Sequence, residues 1–163
     1  MLWLCLLAGC RTAPVDVIAH NDFERLEGWL DPLPQWLTTA KAHSGRYATV
    51  VTPTMTYGPE YHATWEQMGS PRRVRVRAWV WLPHERTKVV LVLQAARGED
   101  GLFWELLRVN DVVRRRGQWE LVQRDFTLPD DLQATDYFKL FVWQRGASGE
   151  NIYFDDISLE KLK

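Results

Sequence analysis

Arg73-Val74-Arg75-Val76-Arg77-Ala78-Trp79-Val80-Trp81-Leu82 decides the class of the fold. Val74, Val76, Ala78, Val80 and Leu82 recur at every second position, and Arg73, Arg75, Arg77, Trp79 and Trp81 take the alternate ones. Successive strand side chains point to opposite faces, so a period of two predicts a half-buried strand. Pro83 ends it, because proline cannot donate to a ladder. Downstream the pattern repeats in residues 88–95, 102–109, 118–127, 136–144 and 151–160, and upstream in 15–19, 36–41, 46–52 and 61–67. Gly, Asp, Asn and Pro clusters between these runs supply the turns. No stretch sustains a helical period with a cap at each end. Many short strands at this spacing predict an all-β fold, a single antiparallel β-sandwich of jelly-roll type.

The chain has 163 residues, which suits one domain around one core, expected over residues 15–163. Twenty Lys and Arg stand against 21 Asp and Glu, so the net charge is −1 and no long-range field favours nucleic acid. Nine tryptophans against six phenylalanines is the unusual count, and such rings either fill a core or build flat contact surfaces.

Residues 1–10, Met-Leu-Trp-Leu-Cys-Leu-Leu-Ala-Gly-Cys, are apolar throughout and too short to span a bilayer. A short apolar run that ends in small residues before a polar stretch reads as a secretory leader. Leu7-Ala8-Gly9-Cys10 resembles the lipobox of bacterial lipoproteins, in which cleavage precedes the cysteine and that cysteine is acylated. The departure from that pattern is the lack of Lys or Arg before the run. The expectation is a leader over 1–9, a lipid on Cys10, a tether over 10–14, and a domain displayed on a membrane of the bacterial cell envelope, facing the periplasm or the surface. Cys5 and Cys10 are the two cysteines, so the mature domain is expected to have no disulfide and to rely on its own core.

Asn21-Asp22-Phe23-Glu24 with Gly28-Trp29, followed by Ala42-His43-Ser44-Gly45-Arg46-Tyr47-Ala48, looks like the opening of jelly-roll carbohydrate-binding modules of the galactose-binding-like fold. The 75–81 strand, Trp119 with Phe126-Thr127-Leu128-Pro129, and Ile152-Tyr153-Phe154-Asp155-Asp156-Ile157-Ser158-Leu159 follow in the same order. The resemblance implies a structural Ca²⁺ site in which Glu24 and one of Asp155 and Asp156 give side-chain oxygens. Backbone oxygens near Asn21 and Arg46 complete the implied shell, in keeping with the six to eight oxygens that Ca²⁺ takes. Strand alternation puts Asp155 on the side of Ile157 and Leu159, the expected core side, and so favours Asp155 over Asp156.

His20, His43, His62 and His84 sit in separate segments without metal-site spacing, and no nucleophile elbow, phosphate loop or cysteine nucleophile occurs in the expected domain. The chain therefore reads as no enzyme. The arginines at 72, 73, 75, 77 and 114–116 suggest a polyanion site, with acidic polysaccharide left open, but export and balanced charge favour a solvated strand face and a hairpin loop. The informative rows are aromatic: Arg75, Arg77, Trp79 and Trp81 in one strand, and Lys139, Phe141, Trp143 and Arg145 in another. If both rows share a face, Trp79, Trp81, Phe141 and Trp143 stack on sugar, with Arg75 and Arg77 as donors beside them. The expected function is a lipid-anchored, non-catalytic carbohydrate-binding domain. A protein-interaction or structural accessory domain of an envelope assembly is the alternative, with a glycoside-active enzyme behind both.

Overall fold

Alternation locates the strands, and cross-strand register decides which face each side chain joins. The computed structural model describes residues 16–25, 35–83, 87–146 and 149–163. The 1–9 leader, Cys10, the 10–14 tether, the Gly28-Trp29 pair and His84 lie outside the described residues. Within them the order is β1 (Asp16–Asn21), β2 (Leu37–Thr38), β3 (Ala48–Val51), β4 (Tyr57–Thr64), β5 (Arg73–Trp81), β6 (Val89–Arg97) and β7 (Asp100–Arg108). The short turn α1 (Val109–Val112) follows, then β8 (Trp119–Thr127), β9 (Tyr137–Gln144) and β10 (Ile152–Leu162). Each expected strand is present, with ends displaced by a few residues.

Two antiparallel sheets form the sandwich. One runs β2-β3-β10-β5-β8, with β1 also on β10, and the other runs β4-β9-β6-β7. From β3 onward the chain changes sheet at every connection except the β6–β7 hairpin, which is the double-sheet jelly roll. That hairpin turns at Gly98, whose φ of 60° suits the first central position of a two-residue turn.

The core lies between the sheets. Val74, Val76, Ala78 and Val80 of β5 share one buried cluster with Leu91 and Leu93 of β6 and Phe138, Leu140 and Val142 of β9. Burial of each Val, Leu or Phe side chain stabilises by about 1.5–3 kcal/mol. The outer side of β6 is covered as well: Val90 and Val92 are buried with Phe141 beneath Leu106 and Trp143. A central strand buried on both faces reads as a continuous apolar run, and residues 89–93 are Val-Val-Leu-Val-Leu.

β10 carries the irregularity that matters for the rest. Asp155 pairs with Trp79 and Ser158 with Arg77, so β10 gains one residue on β5. Asp156, at φ 47°, absorbs it in a left-handed conformation. Past this bulge β10 exchanges one neighbour for another: Ile152 to Phe154 pair with β3, while residues 157–161 pair with β1. Alternation is also reset. Asp155 is fully buried, yet it pairs across from outward-facing Trp79 rather than sharing the core side of Leu159. The expectation that one uninterrupted alternation carries Asp155 to the core side is corrected by the bulge.

Candidate functional site

Register builds the candidate site on the outer face of β4-β9-β6-β7. Three rows cross this sheet, Tyr57–Trp143–Val90–Arg108, Glu60–Phe141–Val92–Leu106 and His62–Lys139–Gln94–Trp104. Val90, Val92 and Phe141 are the buried floor. Tyr57 on one edge strand and Trp104 on the other stand 54% and 49% exposed. These two rings come from opposite edge strands and both lean in toward Phe141. Trp104 meets Phe141 and Trp143 edge-on at 6.0 Å each, and Tyr57 lies 6.1 Å from Phe141. The cleft among them has a volume of about 250 Å³. Its polar side is a connected set: Glu60 reaches His62 at 3.1 Å and Lys139 at 3.6 Å, and the His62 ring bonds the Tyr137 hydroxyl. A larger opening, about 610 Å³, lies between β1 and β4, but core residues such as Leu91, Leu140, Val142 and Leu159 line it. It is the gap between the two sheets, whereas the ring-lined face presents exposed rings beside convergent polar groups.

Phe141 and Trp143 thus belong to the candidate face, and Trp79, Trp81, Arg75 and Arg77 do not. β5 sits in the opposite sheet, so its rings point away from those of β9. They are also covered. His43 stacks on Trp79 at 3.8 Å and 14°, and Lys41 Nζ lies 4.2 Å above the Trp81 ring. Trp119 packs edge-on against Trp81 at 6.1 Å. Arg75 is committed to Asp125 through bonds of 2.6 and 2.9 Å, and Arg77 to Glu160 at 3.1 Å. The Arg75 hydrogen bonds hold the Asp125 carboxyl below its ordinary value. The expected four-ring platform is therefore corrected: alternation alone does not say which sheet a strand enters. Tyr57, Trp104, Glu60 and Gln94 are the site residues that sequence reasoning missed.

The loop that roofs Trp79 is held by carboxylates. Asp155 Oδ2 accepts the N–H of His43 at 2.7 Å and of Ser44 at 3.1 Å, while Oδ1 accepts that of Asp156 at 2.8 Å. Glu24 Oε1 accepts the N–H groups of Arg46 and Tyr47 at 2.7 and 2.6 Å, and Asn21 Oδ1 accepts that of Phe23 at 2.8 Å. Asp156 bonds the His43 ring at 2.7 Å and the Ser44 hydroxyl at 3.0 Å. The structure therefore gathers Asn21, Glu24, Arg46 and Asp155 at one edge, the positions that the resemblance implies for Ca²⁺. A Ca²⁺ shell needs oxygens converging on one point. In this arrangement both Asp155 oxygens and Glu24 Oε1 face N–H donors instead. Among the described residues no three His, Cys, Asp or Glu side chains surround a common point. The residues so arranged do not fit the ion.

Solved structures share the architecture. The C-terminal family 22 carbohydrate-binding module of Clostridium thermocellum Xyn10B aligns with a TM-score of 0.56 at 14% identity, over 89% of this chain and 94% of that one. The CBM22-1 xylan-binding domain from Paenibacillus barcinonensis Xyn10C aligns at 0.58 and 15% identity, over 93% and 98%. A family 16 carbohydrate-binding module aligns at 0.53 and 19% identity, over 88% and 99%. At these identities the likeness establishes the jelly-roll fold. No protein-family model matches the sequence, and no curated protein matches it.

Two expectations follow from the carboxylate clamp. Burial pushes the Asp155 carboxyl above its ordinary value, and the N–H bonds from Ser44, His43 and Asp156 offset part of that. Between the unfolded value of ~3.9 and the higher folded value, the native state binds the extra proton, so stability falls as pH rises through that window and stays lower above it. Asp155→Asn should flatten this fall in urea titrations run from about pH 3 to 7, and an unchanged slope would count against the burial assignment. Melting curves in excess EDTA and in excess Ca²⁺ should coincide. An ion that binds only the folded state raises apparent stability by mass action, so a higher melting temperature with Ca²⁺ would restore the cation shell.

Proposed function

We propose that the outer face of β4-β9-β6-β7 binds carbohydrate, and that the domain does no chemistry on what it binds. The observation that carries this reading is the pair of exposed rings, Tyr57 and Trp104, standing over a buried floor of Val90, Val92 and Phe141. Large rings left half in water on a rigid sheet are ready to stack on the apolar C–H face of a sugar. Gln94, Glu60 and Lys139 line the same cleft and offer donors and acceptors for hydroxyl groups. Solved domains of this fold support the reading, among them the xylan-binding domain of Paenibacillus barcinonensis Xyn10C. Hydrolysis of a glycosidic bond commonly needs two carboxyl groups flanking it, and among the described residues of this cleft Glu60 is the one carboxylate. Glu60 is moreover shared between Lys139 and His62.

Trp104→Ala and Tyr57→Ala should each weaken oligosaccharide binding by roughly tenfold, the worth of a lost aromatic contact. Both variants should keep a melting temperature close to that of the parent, because the deleted rings face solvent. Trp79→Ala should do the reverse, lowering the melting temperature while leaving binding intact, because its ring carries the stacked His43 loop. Calorimetric titration with xylo- and cello-oligosaccharides, alongside thermal melts, reads both effects. Stable variants with no glycan response in the parent protein would hand the face to a protein partner instead.

The support for a membrane anchor is the Leu7-Ala8-Gly9-Cys10 sequence, and we infer that acylated Cys10 holds the domain at a bacterial envelope membrane. Stable anchoring takes more than one acyl chain. Wild-type protein should enter the detergent phase on Triton X-114 separation, and Cys10→Ala should stay aqueous or unprocessed. Equal aqueous partitioning of the two would remove the anchor.

A further inference from the structure

The platform has two unlike ends. At the Gln94 end, Lys139 is matched by Glu60 at 3.6 Å. Toward the Trp143 end stand three cations, on β9, before β6 and on β7, with no carboxylate partner among the described residues. Arg145 lies 5.3 Å above the Trp143 ring. Its backbone N–H donates to the Lys88 carbonyl at 3.0 Å, so the β6–β9 ladder continues one pair past Val89 and Gln144. By alternation Lys88 follows the outward side of Val90. Arg108 pairs with Val90 from the other side and shares the face of Leu106 and Trp104. All three are exposed, and none has a carboxylate partner among the described residues. The opposite sheet differs: Arg72 pairs with Asp130, Arg73 and Arg75 with Asp125, and Arg77 with Glu160. On the ring-lined face, positive charge without a carboxylate partner among the described residues is thus confined to one end of the cleft.

A second hollow adjoins that end. It has a volume of about 330 Å³, is lined by Thr54, Thr56, Trp143 and Arg145 among others, and shares Trp143 with the ring-lined cleft. Its far wall is fixed. Gln144, 4% exposed, donates through Nε2 to the carbonyls of Thr52 and Pro53 at 3.4 and 3.3 Å, and its backbone N–H donates to that of Thr56 at 2.9 Å. Thr52 and Thr54 join their hydroxyls at 3.3 Å. The hollow is therefore a preformed polar space with a guanidinium held against an indole.

We propose that this hollow takes a carboxylate-bearing sugar, a uronic acid residue, of a glycan whose neutral residues lie on the ring platform; the inference rests on the carbohydrate reading of that face. A guanidinium meets a carboxylate through two parallel N–H bonds, and the Arg145 guanidinium lies 5.3 Å over the Trp143 ring in the wall of this hollow. Lys88 and Arg108, on the neighbouring strands of the same face, add a field that favours an anion. Continuity with the ring-lined cleft through Trp143 favours a charged glycan over a free anion.

The test is titration of the full-length protein with glucuronoxylan, polygalacturonate and alginate, each compared with the same polymer after reduction of its carboxyl groups to alcohols. At least one acidic form should bind roughly tenfold more tightly than its reduced counterpart, the worth of one charge-assisted pair. Arg145→Ala should abolish that difference, and Arg72→Ala, on the other sheet, should preserve it. Equal affinity for acidic and reduced forms overturns the uronate site and leaves the ring platform standing. Equally tight binding of a sulfated neutral polysaccharide overturns it in favour of a general polyanion patch. Failure of every polymer, acidic or reduced, together with neutral oligosaccharides, overturns the carbohydrate reading and this inference with it.

Discussion

Asp155 is a fully buried carboxylate on the outside of a sheet, and the division of labour between the two faces of this sandwich follows from it. Burial of an unpaired carboxylate is costly, so its oxygens must be met by donors. The donors come from the loop before β3, through the main-chain N–H groups of His43 and Ser44. That attachment brings His43 onto Trp79 and closes one outer face. The bulge at Asp156 is what turns Asp155 outward, and the same bulge lets β10 serve β3 and β1 in succession. One extra residue in one strand therefore governs both the sheet order and the fate of a tryptophan row.

The other outer face is open for a different reason. β6 is buried on both sides, and among the described residues its outward Val90 and Val92 pack with side chains of the two neighbouring strands. Those neighbours must be large to do it, and Phe141, Trp143 and Leu106 are. Once they cover the floor, Trp104 and Tyr57 stand beyond it with little left to pack on but one another's neighbours. The shape of the cleft is thus a by-product of covering a central strand without a third layer.

The strands were legible in the sequence because alternation is a local property. Arg73 to Leu82 shows it plainly, and the Gly98 turn is equally local. The face assignment of Trp79 and Trp81 was not legible, because it depends on whether β5 pairs with β9 or with β10, and a strand's own residues do not record its neighbour. The bulge at Asp156 was hidden for a related reason: no glycine marks its positive φ. Trp104 had a signal in the sequence, since Trp104 and Leu106 are apolar in a run where Phe103 and Leu107 already supply the core side. Tyr57 had none, for it precedes the stretch where alternation becomes readable. Glu24 and Asp155 were found as a pair by resemblance, but their partners proved to be N–H groups, which no side-chain pattern announces.

The roof over Trp79 is attached through main-chain N–H groups at four successive points of contact, those of His43, Ser44, Arg46 and Tyr47. Such a lock recognises the shape of a segment and ignores most of its spelling. Arg46 and Tyr47 can therefore be exchanged for many residues while their N–H groups still reach Glu24. Gly45 is the exception, because its φ of 57° and the Glu24 carboxyl beside it leave no room for a Cβ. For anyone wishing to graft new recognition onto this scaffold, the segment is a place where diversity can be introduced on the face the rings do not use, with the anchor kept entirely on the invariant side of the lock.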